Sequence, residues 1–435
     1  MPGNYKKLKE QITFDALMET VRQKFADFSD HRRANAKYPL TDFLGSAFAL
    51  FSLKSPSLLD FDERTKVESE NLKSLYRIGA IPSDTQMRAA LDPVDPQPLR
   101  AMFAPLFDTL RRAGLVKQYH FWHDYVLVAV DGVEHFSSQQ IHCAHCLTRQ
   151  LRDGKTSYHH AGLAAVLVNP AHAQVFPLDF EPILKQDGAL KNDCERNAAK
   201  RLLAALRTQY PDLKIILIED ALYANAPHIR QINEADGRFI LNVKPDSHAS
   251  LFKQLAGRRA TRQVQEWRCT DASGVQHAFA WTKGLCLCES AIDVTVNFLW
   301  YTQTEPSGAV TTWTWVTNLP LTKRTVEPVM RAGRSRWKIE NETFNTLKNQ
   351  GYHFEHNYGH GEKNLATVLA LLMLLAFTLD QMLQHCWPLF QQVRGGLRTT
   401  TKLWDSLRSV FRLCRCQTMA AIYRYIAELY EIQLC

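Results

Sequence analysis

Two continuous runs of apolar residues, each followed by an acidic residue, constrain the fold of this chain most strongly. The first is YVLVAVDGV at 125–133, and the second is KIILIEDALYAN at 214–225. A short run that is apolar at nearly every position is typical of a strand with both faces buried in a sheet. The two runs therefore predict the centre of an α/β layer, with Asp131 and Asp220 placed where buried strands end.

The neighbouring segments indicate the order of elements in this layer. HHAGLAAVLVNP and AQVFPLDFEP predict two further strands, and NDCERNAAKRLLAALRTQYP predicts an amphipathic helix. After the second apolar run come a helix near Ala226 to Asp236 and the strand GRFILNVKP. This order matches a ribonuclease-H-like α/β layer, in which an antiparallel series of strands precedes parallel strands.

The rest of the chain divides by its pattern of apolar residues. Period-two alternation of aromatic and apolar residues after the layer, with turns at DASG and EPSG, predicts an antiparallel β insertion. In the helical N-terminal part, Ser83 and Gln86 have the spacing of a capping box, which predicts a helix beginning near Asp84. The expected regions are 1–120 (helical), 121–249 (first part of the core), 250–320 (β insertion), 321–385 (second part of the core) and 386–435 (basic and helical).

The net charge of +8 is concentrated in two stretches. Seven Lys or Arg stand against three Glu from Lys323 to Lys348, and seven against three acids from Arg394 to Cys435. Such a distribution indicates either a surface for a polyanion or two solvated faces.

The N-terminal sequence lacks the apolar stretch of a secretory signal, so we expect a cytoplasmic protein with reduced thiols. The most apolar run, Leu365 to Leu379, is about 15 residues long and shorter than the ~20 that span a bilayer. It predicts a buried helix, and we expect no association with a membrane.

Asp131 and Asp220 end strands of what is predicted to be one sheet, where the functional groups of open α/β sheets collect. Two carboxylates at close range repel each other unless a cation joins them. Because Mg²⁺ prefers carboxylate oxygens and leaves positions for phosphate, the pair predicts a magnesium site that acts on phosphodiesters.

Glu340 is the candidate for a third acid. It lies four residues after Arg336 on a predicted helix, so the two side chains share a face, whereas Glu342 is about 200° away from Glu340. The alternative is an ordinary surface pair of Arg336 and Glu340, which would contribute only ~0.2–0.5 kcal/mol.

The segment IHCAHCLTR contains a C-x-x-C pair, Cys143 and Cys146. Such a pair supplies two of the four ligands of a structural zinc ion, and the alternatives are paired core thiols or a flexible loop. The other candidate ligands are Cys194 and one of His142, His145 and His160. Farther along, HNYGHG at 356–361 predicts either a helix connector with capping glycines or a contact with the site or with phosphate.

Taken together, VAVDG, ILIEDALYAN and RWKIENETFNTLKNQGY resemble the DDE transposases of bacterial insertion sequences. The similarity, over about 120–385, is to the cut-and-paste branch with a β insertion and a Tyr-Arg-Glu-Lys signature. By position it implies that Arg336 is the signature arginine and that Asp131, Asp220 and Glu340 bind the metal.

Two positions depart from the signature. Gly333 stands where the branch has Tyr, and Leu347 stands where it has Lys. Lys348 comes one residue later and is rotated by about 100° on a regular helix, so it takes the signature role only where the helix bulges or ends.

The resemblance implies a mechanism, a cofactor and partners. By two-metal phosphoryl transfer, Mg²⁺ or Mn²⁺ ions on the three acids would support cleavage of double-stranded DNA at terminal inverted repeats and strand transfer to target DNA. Arg336 would position phosphate, and Lys348, Arg334 and Lys338 would bind DNA. A homodimer on DNA, associated with the nucleoid, is expected. The alternatives are a nuclease of the same fold without strand transfer and an inactive DNA-binding relative.

Overall fold

The computed structural model of the protein describes residues 11–33, 36–185 and 193–434. The first ten residues, on which the expectation about a secretory signal partly rests, lie outside this range. The described chain has a large mixed sheet with helices on its flanks, which confirms the predicted α/β class. The strands are β1 (His120–Trp122), β2 (Tyr125–Ser138), β3 (Leu147–Gln150), β4 (Thr156–Val168), β5 (Phe176–Ile183), β6 (Ile215–Glu219), β7 (Arg238–Asn242), β8 (Gln265–Thr270), β9 (Gln276–Cys288), β10 (Ala291–Thr304) and β11 (Val310–Thr317).

The α-helices are α1 (Phe14–Ala26), α2 (Leu40–Ser52), α3 (Leu58–Tyr76), α4 (Asp84–Leu91), α5 (Gln97–Arg100), α6 (Phe103–Arg112), α7 (Glu195–Gln209), α8 (Ala226–Glu234), α9 (Ala249–Ala260), α10 (Val326–Arg334), α11 (Asn345–Asn349), α12 (Leu365–Cys386), α13 (Pro388–Gly396), α14 (Thr400–Leu413) and α15 (Met419–Leu429). The helix predicted near Asp84 begins there, and its capping box with Ser83 and Gln86 is present. A 3₁₀ turn precedes β1, and a π-helical turn precedes α11.

The two apolar runs form β2 and β6, which lie side by side and parallel at the centre of the sheet. β4 pairs antiparallel with β2, and β5 pairs antiparallel with β4. β7 lies parallel to β6 on the other side. Every residue of β5 and β6 is buried, as expected for strands covered on both faces.

β2 is longer than its apolar run. It was predicted to end near Asp131, but it continues to Ser138. The polar residues beyond Gly132 stay in the strand because they pair with β4, as far as Ser138 opposite Tyr158. Asp131 therefore lies inside β2, at the point where the pairing with β6 has ended.

The strands predicted to form a β insertion continue the central sheet. Strand β11 pairs antiparallel with β7, with Val316 opposite Leu241, and β10, β9 and β8 follow outward. The segment expected to begin this β region at 250 instead forms α9, which buries Leu251 and Leu255 on one face. Spacing by four residues favours a helix here, and the alternation typical of strands begins only at Gln265.

Helix α12 is the core of the helical flank. By length and composition it is the one described helix that could cross a membrane, but its most apolar window is completely buried inside the protein. This confirms the predicted buried helix. Asp92, just after α4, accepts hydrogen bonds from the backbone N–H groups of Lys363 and Leu365 at 3.0 and 3.1 Å and so fixes where α12 begins.

A buried ion pair joins the N-terminal helices to α12. Lys54 Nζ lies 2.6 Å from Asp380 Oδ2 and donates to the Ser52 carbonyl oxygen at 2.9 Å. The rings of Tyr352 and Trp404 lie 4.3 and 4.2 Å from the ammonium group, and the Tyr352 hydroxyl donates to Asp380. Burial lowers the pKa of Lys54 and raises that of Asp380, and the attraction between the two charges opposes both shifts.

We expect Asp380→Asn to lower the free energy of unfolding by about 3–5 kcal/mol, because it leaves the Lys54 charge buried without a counter-charge. Urea unfolding followed by tryptophan fluorescence measures the change. The matched control is Asp124→Asn, which removes an acid from the exposed pair with Lys214 and should leave the unfolding midpoint nearly unchanged. Equal midpoints for the two variants would contradict a buried charged pair.

Candidate active site

Asp131 and Asp220 are brought to neighbouring positions by the register of two parallel strands. The last pair between β2 and β6 joins Ala129 to Ile218. Two residues farther on each strand are Asp131 and Asp220, and the second directly follows the end of β6. Because each aspartate follows the last pair by the same number of residues, the register places both at one end of the parallel strands. Side chains two residues apart on a strand point to the same face, so both aspartates follow the faces of Ala129 and Ile218.

The turn that carries Asp220 is fixed by hydrogen bonds on both sides. Asp220 Oδ1 accepts from the Leu222 N–H at 2.8 Å. The preceding residue, Glu219, is buried and its Oε2 lies 2.8 Å from His228 Nε2. Asn225 Oδ1 accepts from the His228 N–H at 3.1 Å and caps α8. The turn between β6 and α8 therefore holds Asp220 in a defined position.

The Arg336 guanidinium joins Asp131 to Glu340. Its Nη1 lies 2.9 Å from Asp131 Oδ2 and 3.1 Å from Glu340 Oε1. The Asp131 and Arg336 side chains are 18% and 10% exposed, and Glu340 is 35% exposed. Arg336 and Glu340 thus share a face, as their spacing predicts, but they are bound to the sheet and do not form an isolated surface pair.

The electrostatics of this group favour a cation between the two acids. Burial raises the pKa of Asp131 to about 7, Arg336 opposes the shift, and the nearby Glu340 carboxyl adds to it. Carboxylates that lie close together in a poorly solvated site repel each other. Arg336 opposes this repulsion, so the site accommodates positive charge between an acid of β2 and an acid of the helical segment that follows α10.

The three candidate acids do not all lie within the short distance of one another that marks a preformed metal site. Among the described residues, one group of three or more Asp, Glu, His or Cys has all its donor atoms within 4.8 Å of one another, and that group consists of cysteines and histidines. Asp131, Asp220 and Glu340 therefore do not form a closed set at that distance. The structure brings Asp131 and Glu340 together through Arg336 and places Asp220 at the end of the adjacent strand.

The helix that carries Glu340 bulges. Residues Ile339–Phe344 form a π-helical turn, which leads into α11. A π turn takes up one more residue than an α turn. Lys348 therefore lies where a regular helix would place Leu347, and Leu347 is fully buried while Lys348 is half-buried. Lys348 Nζ lies 2.9 Å from Glu355 Oε1.

Gly333 is required by the packing of α10. A Cβ atom at this position would lie 2.6 Å from the indole ring of Trp315, which is buried on β11. A larger side chain would push the helix away from the sheet. The absence of Tyr at this position thus follows from the close approach of α10 to the β insertion.

Two further basic residues of the helix make contacts with neutral groups. Lys338 Nζ donates to the His172 carbonyl oxygen at 2.9 Å, and Arg334 Nη1 donates to Gln303 Oε1 at 2.9 Å. Trp337, between them, is 51% exposed. The exposure of Trp337 is not predictable from the sequence, because tryptophan alone gives no signal that separates a core residue from an exposed one.

Glu195 is another residue near the site, and no motif in the sequence predicts it. It lies in the first turn of α7 above Gly132, where a Cβ atom would be 2.6 Å from its Oε1. The Tyr223 hydroxyl donates to Glu195 Oε2 at 2.9 Å. Glycine next to Asp131 therefore leaves room for this carboxylate, and the signal available in the sequence was the glycine itself.

The predicted cysteine site is assembled differently from the prediction. Cys143 and Cys146 are buried together with His160 and His360, whereas Cys194 is exposed just before α7 and lies outside the group. His142 is exposed and its ring contacts Tyr158, and His145 is half-buried outside the group. His360 belongs to the HNYGHG turn, whose histidine content was the only sequence signal.

The family model described as a transposase DDE domain matches residues 148–379, which include Asp220, Arg336 and Glu340 and begin after Asp131. A cryo-EM structure of the piggyBac transposase synaptic complex with hairpin DNA aligns with 98% of this chain and 84% of that chain, at 11% identity and a TM-score of 0.42. No curated protein sequence matches significantly. Because the family model spans more than half of the sequence, this chain belongs to the transposase DDE domain family.

Proposed function

We propose that this protein is a metal-dependent transposase that cleaves DNA at the ends of its element and joins them to target DNA. The observation that carries the proposal is the Arg336 contact with both Asp131 and Glu340, inside a chain of the transposase DDE domain family. A nuclease of the same fold without strand transfer is the second candidate, because it would use the same acids.

We infer that the core is ribonuclease-H-like. The five central strands follow the spatial order β5, β4, β2, β6, β7, which is third, second, first, fourth and fifth in chain order when the short β1 and β3 are left out. Strand β4 pairs antiparallel with both β2 and β5, whereas β6 lies parallel to β2 and β7 lies parallel to β6. This order supports a core at 121–249 and 321–385 with an insertion at 250–320.

The donor set fits a hard divalent cation such as Mg²⁺ or Mn²⁺. Asp131, Asp220 and Glu340 offer carboxylate oxygens, the ligands that such ions prefer. Arg336 already holds a positive charge against two of them. When bound, the metal would activate the attacking oxygen and stabilise the leaving oxygen of a phosphodiester.

The side chains around the acids would hold the DNA backbone. Arg336 would turn its guanidinium to a phosphate, for which its planar fork is suited. Lys338 and Arg334 contact neutral oxygens, so their charges remain available to phosphates. Lys348 pairs with Glu355, whose side chain is 70% exposed, and a phosphate can replace such a weak partner. The exposed Trp337 ring would stack on a base.

The flanking regions would complete the DNA complex. The basic segment 386–435 and the helical segment 1–120 would contact the double-stranded inverted repeats away from the cleavage site. Because two ends must be paired, we propose a homodimer on DNA. The place of action would be the cytoplasm, at the nucleoid.

The test of the function is incubation of the purified protein with Mg²⁺ and linear DNA that carries the sequences flanking its own gene, together with a target plasmid. We expect strand breaks at the element ends and joined products in the plasmid. Breaks without joined products would favour the nuclease, and neither product at any metal concentration would favour an inactive DNA-binding relative.

Replacement of the acids separates catalysis from binding. Asp131→Ala, Asp220→Ala and Glu340→Ala should each abolish strand cleavage while the affinity for end DNA persists, because the acids hold metal and the basic residues hold phosphate. Cleavage gels and filter binding measure the two activities. The matched control is Glu342→Ala, an acid two residues from Glu340 that should leave cleavage unchanged. Full cleavage by any of the three variants would remove that residue from the site.

The role of Lys348 is tested through the salt dependence of DNA binding. Loss of one phosphate contact reduces the slope of log affinity against log salt by about 0.9. Lys348→Ala should therefore show the smaller slope and weaker binding to specific and nonspecific DNA alike. Lys214→Ala is the control. Lys214 directly precedes β6, so it lies at the opposite end of that strand from Asp220, and it pairs with Asp124. An unchanged slope for Lys348→Ala would exclude a phosphate contact.

A further inference from the structure

Four side chains that serve no purpose in the proposed reaction converge on one buried point. The sulfur atoms of Cys143 and Cys146 are 3.9 Å apart, and the Nε2 atoms of His160 and His360 are 3.1 Å apart. Cys146 Sγ lies 3.4 Å from His160 Nε2 and 3.2 Å from His360 Nε2, and Cys143 Sγ lies 3.6 Å from His160 Nε2. All four residues are buried.

These five separations match five of the six edges of a tetrahedron of the size that zinc requires, and all four atoms lie within 4.8 Å of one another. We take Zn–S bonds of ~2.3 Å and Zn–N bonds of ~2.05 Å that meet at tetrahedral angles. The ligand atoms are then about 3.8 Å apart for two sulfurs, about 3.3 Å for two nitrogens and about 3.6 Å for a sulfur and a nitrogen. The corresponding distances in the protein are 3.9 Å, 3.1 Å and 3.2–3.6 Å. A disulfide does not explain the group, since its sulfurs would be about 2.05 Å apart.

We propose that Cys143, Cys146, His160 and His360 bind one structural Zn²⁺ ion. The two thiols would lose their protons on binding, so two thiolates would balance the charge of the ion and the buried site would be neutral. The other ring nitrogen of His360, Nδ1, lies 2.7 Å from the Gly361 carbonyl oxygen. A proton on Nδ1 leaves the lone pair of Nε2 directed at the group, as in other zinc-bound histidines.

The backbone around His360 is built to hold this ring in place. Gly361 has a φ of 68°, and a Cβ atom there would lie 2.1 Å from Asp92 Oδ1. Glycine thus allows Asp92 to reach the start of α12, where its Oδ2 accepts from the Glu362 N–H at 3.1 Å. This capping turn fixes the residue next to His360 before any metal binds.

The ion would tie together three segments that are far apart in the chain. Cys143 and Cys146 lie between β2 and β3, His160 lies on β4, and His360 lies between α11 and α12. The first segment follows the strand that carries Asp131, the second is the strand β4 that pairs with it, with His160 opposite Phe136, and the third follows the helical segment that carries Glu340. A zinc ion here would therefore fix the helix segment against the sheet. This inference does not depend on the proposed reaction, because the metal content is measured without DNA.

Metal analysis of the full chain, purified without chelator, tests the proposal. We expect about one zinc per chain in the parent and a content at least tenfold lower in Cys146→Ser and His360→Ala, since each loses one of four ligands. The matched controls are Cys194→Ser, an exposed thiol outside the group, and His356→Ala, an exposed histidine of the same turn. Both should keep the zinc content of the parent.

The visible spectrum of the cobalt-substituted parent protein tests the metal site even if the ligand variants do not fold. The parent, with Co²⁺ exchanged for zinc, should show the intense visible bands of a tetrahedral ion with two thiolate ligands. A zinc content near zero in the folded parent that added Zn²⁺ does not raise, iron in place of zinc, a disulfide between Cys143 and Cys146, or zinc retained by His360→Ala would each overturn the assignment.

Discussion

Buried charge is the constraint on which this structure depends, because a charged group taken out of water requires an opposite charge or a full set of hydrogen bonds. The partners come from distant parts of the chain. Lys54 and Asp380 are 326 residues apart and meet inside the helical flank. Arg100, on a short N-terminal helix, donates to Asp179 of β5 at 2.9 and 2.7 Å and also contacts Glu181 of that strand. These pairs fasten the helices to the sheet at fixed positions, and nonpolar packing fills the space between them.

The same constraint shapes the candidate active site. Asp131 is an acid inside a strand of a covered sheet, and its burial is tolerated because Arg336, 205 residues later in the chain, reaches it from the turn after α10. The arginine also contacts Glu340, so one guanidinium sets the separation of two acids from different elements. Because the Arg336 guanidinium stabilises these acids in the folded protein, the same acids are suited to bind a metal cation in place of the guanidinium. The structural demand for a counter-charge and the proposed demand for a metal are the same electrostatic requirement.

How much of this arrangement follows from the sequence depends on the range of the interaction. Apolar runs are local, so β2, β6 and the buried helix α12 are found at the predicted positions, and a spacing of four residues suffices to place Arg336 and Glu340 on one face. Strand ends are harder to predict, because the pairing of β2 with β4 carries the strand beyond its apolar part. His360 meets Cys146 across 214 residues, and no local pattern connects them. These two departures occur where a partner from elsewhere in the chain decides the outcome.

The π-helical turn after Lys338 allows one segment to make two contacts at once. Arg336 contacts Asp131, and Leu347 packs into the core. On a regular α-helix, positions seven apart face nearly the same way, so Leu347 would lie below Glu340 on the polar side. Leu347 is instead buried, and Arg336, one turn before Glu340, is held by Asp131. Because both ends of the segment are fixed, the additional residue is taken up between them, and the π turn at Ile339–Phe344 lies in that interval. The turn directs Leu347 into the core and moves Lys348 to the position that a regular helix would give to Leu347, where it is available for the phosphate contact proposed above.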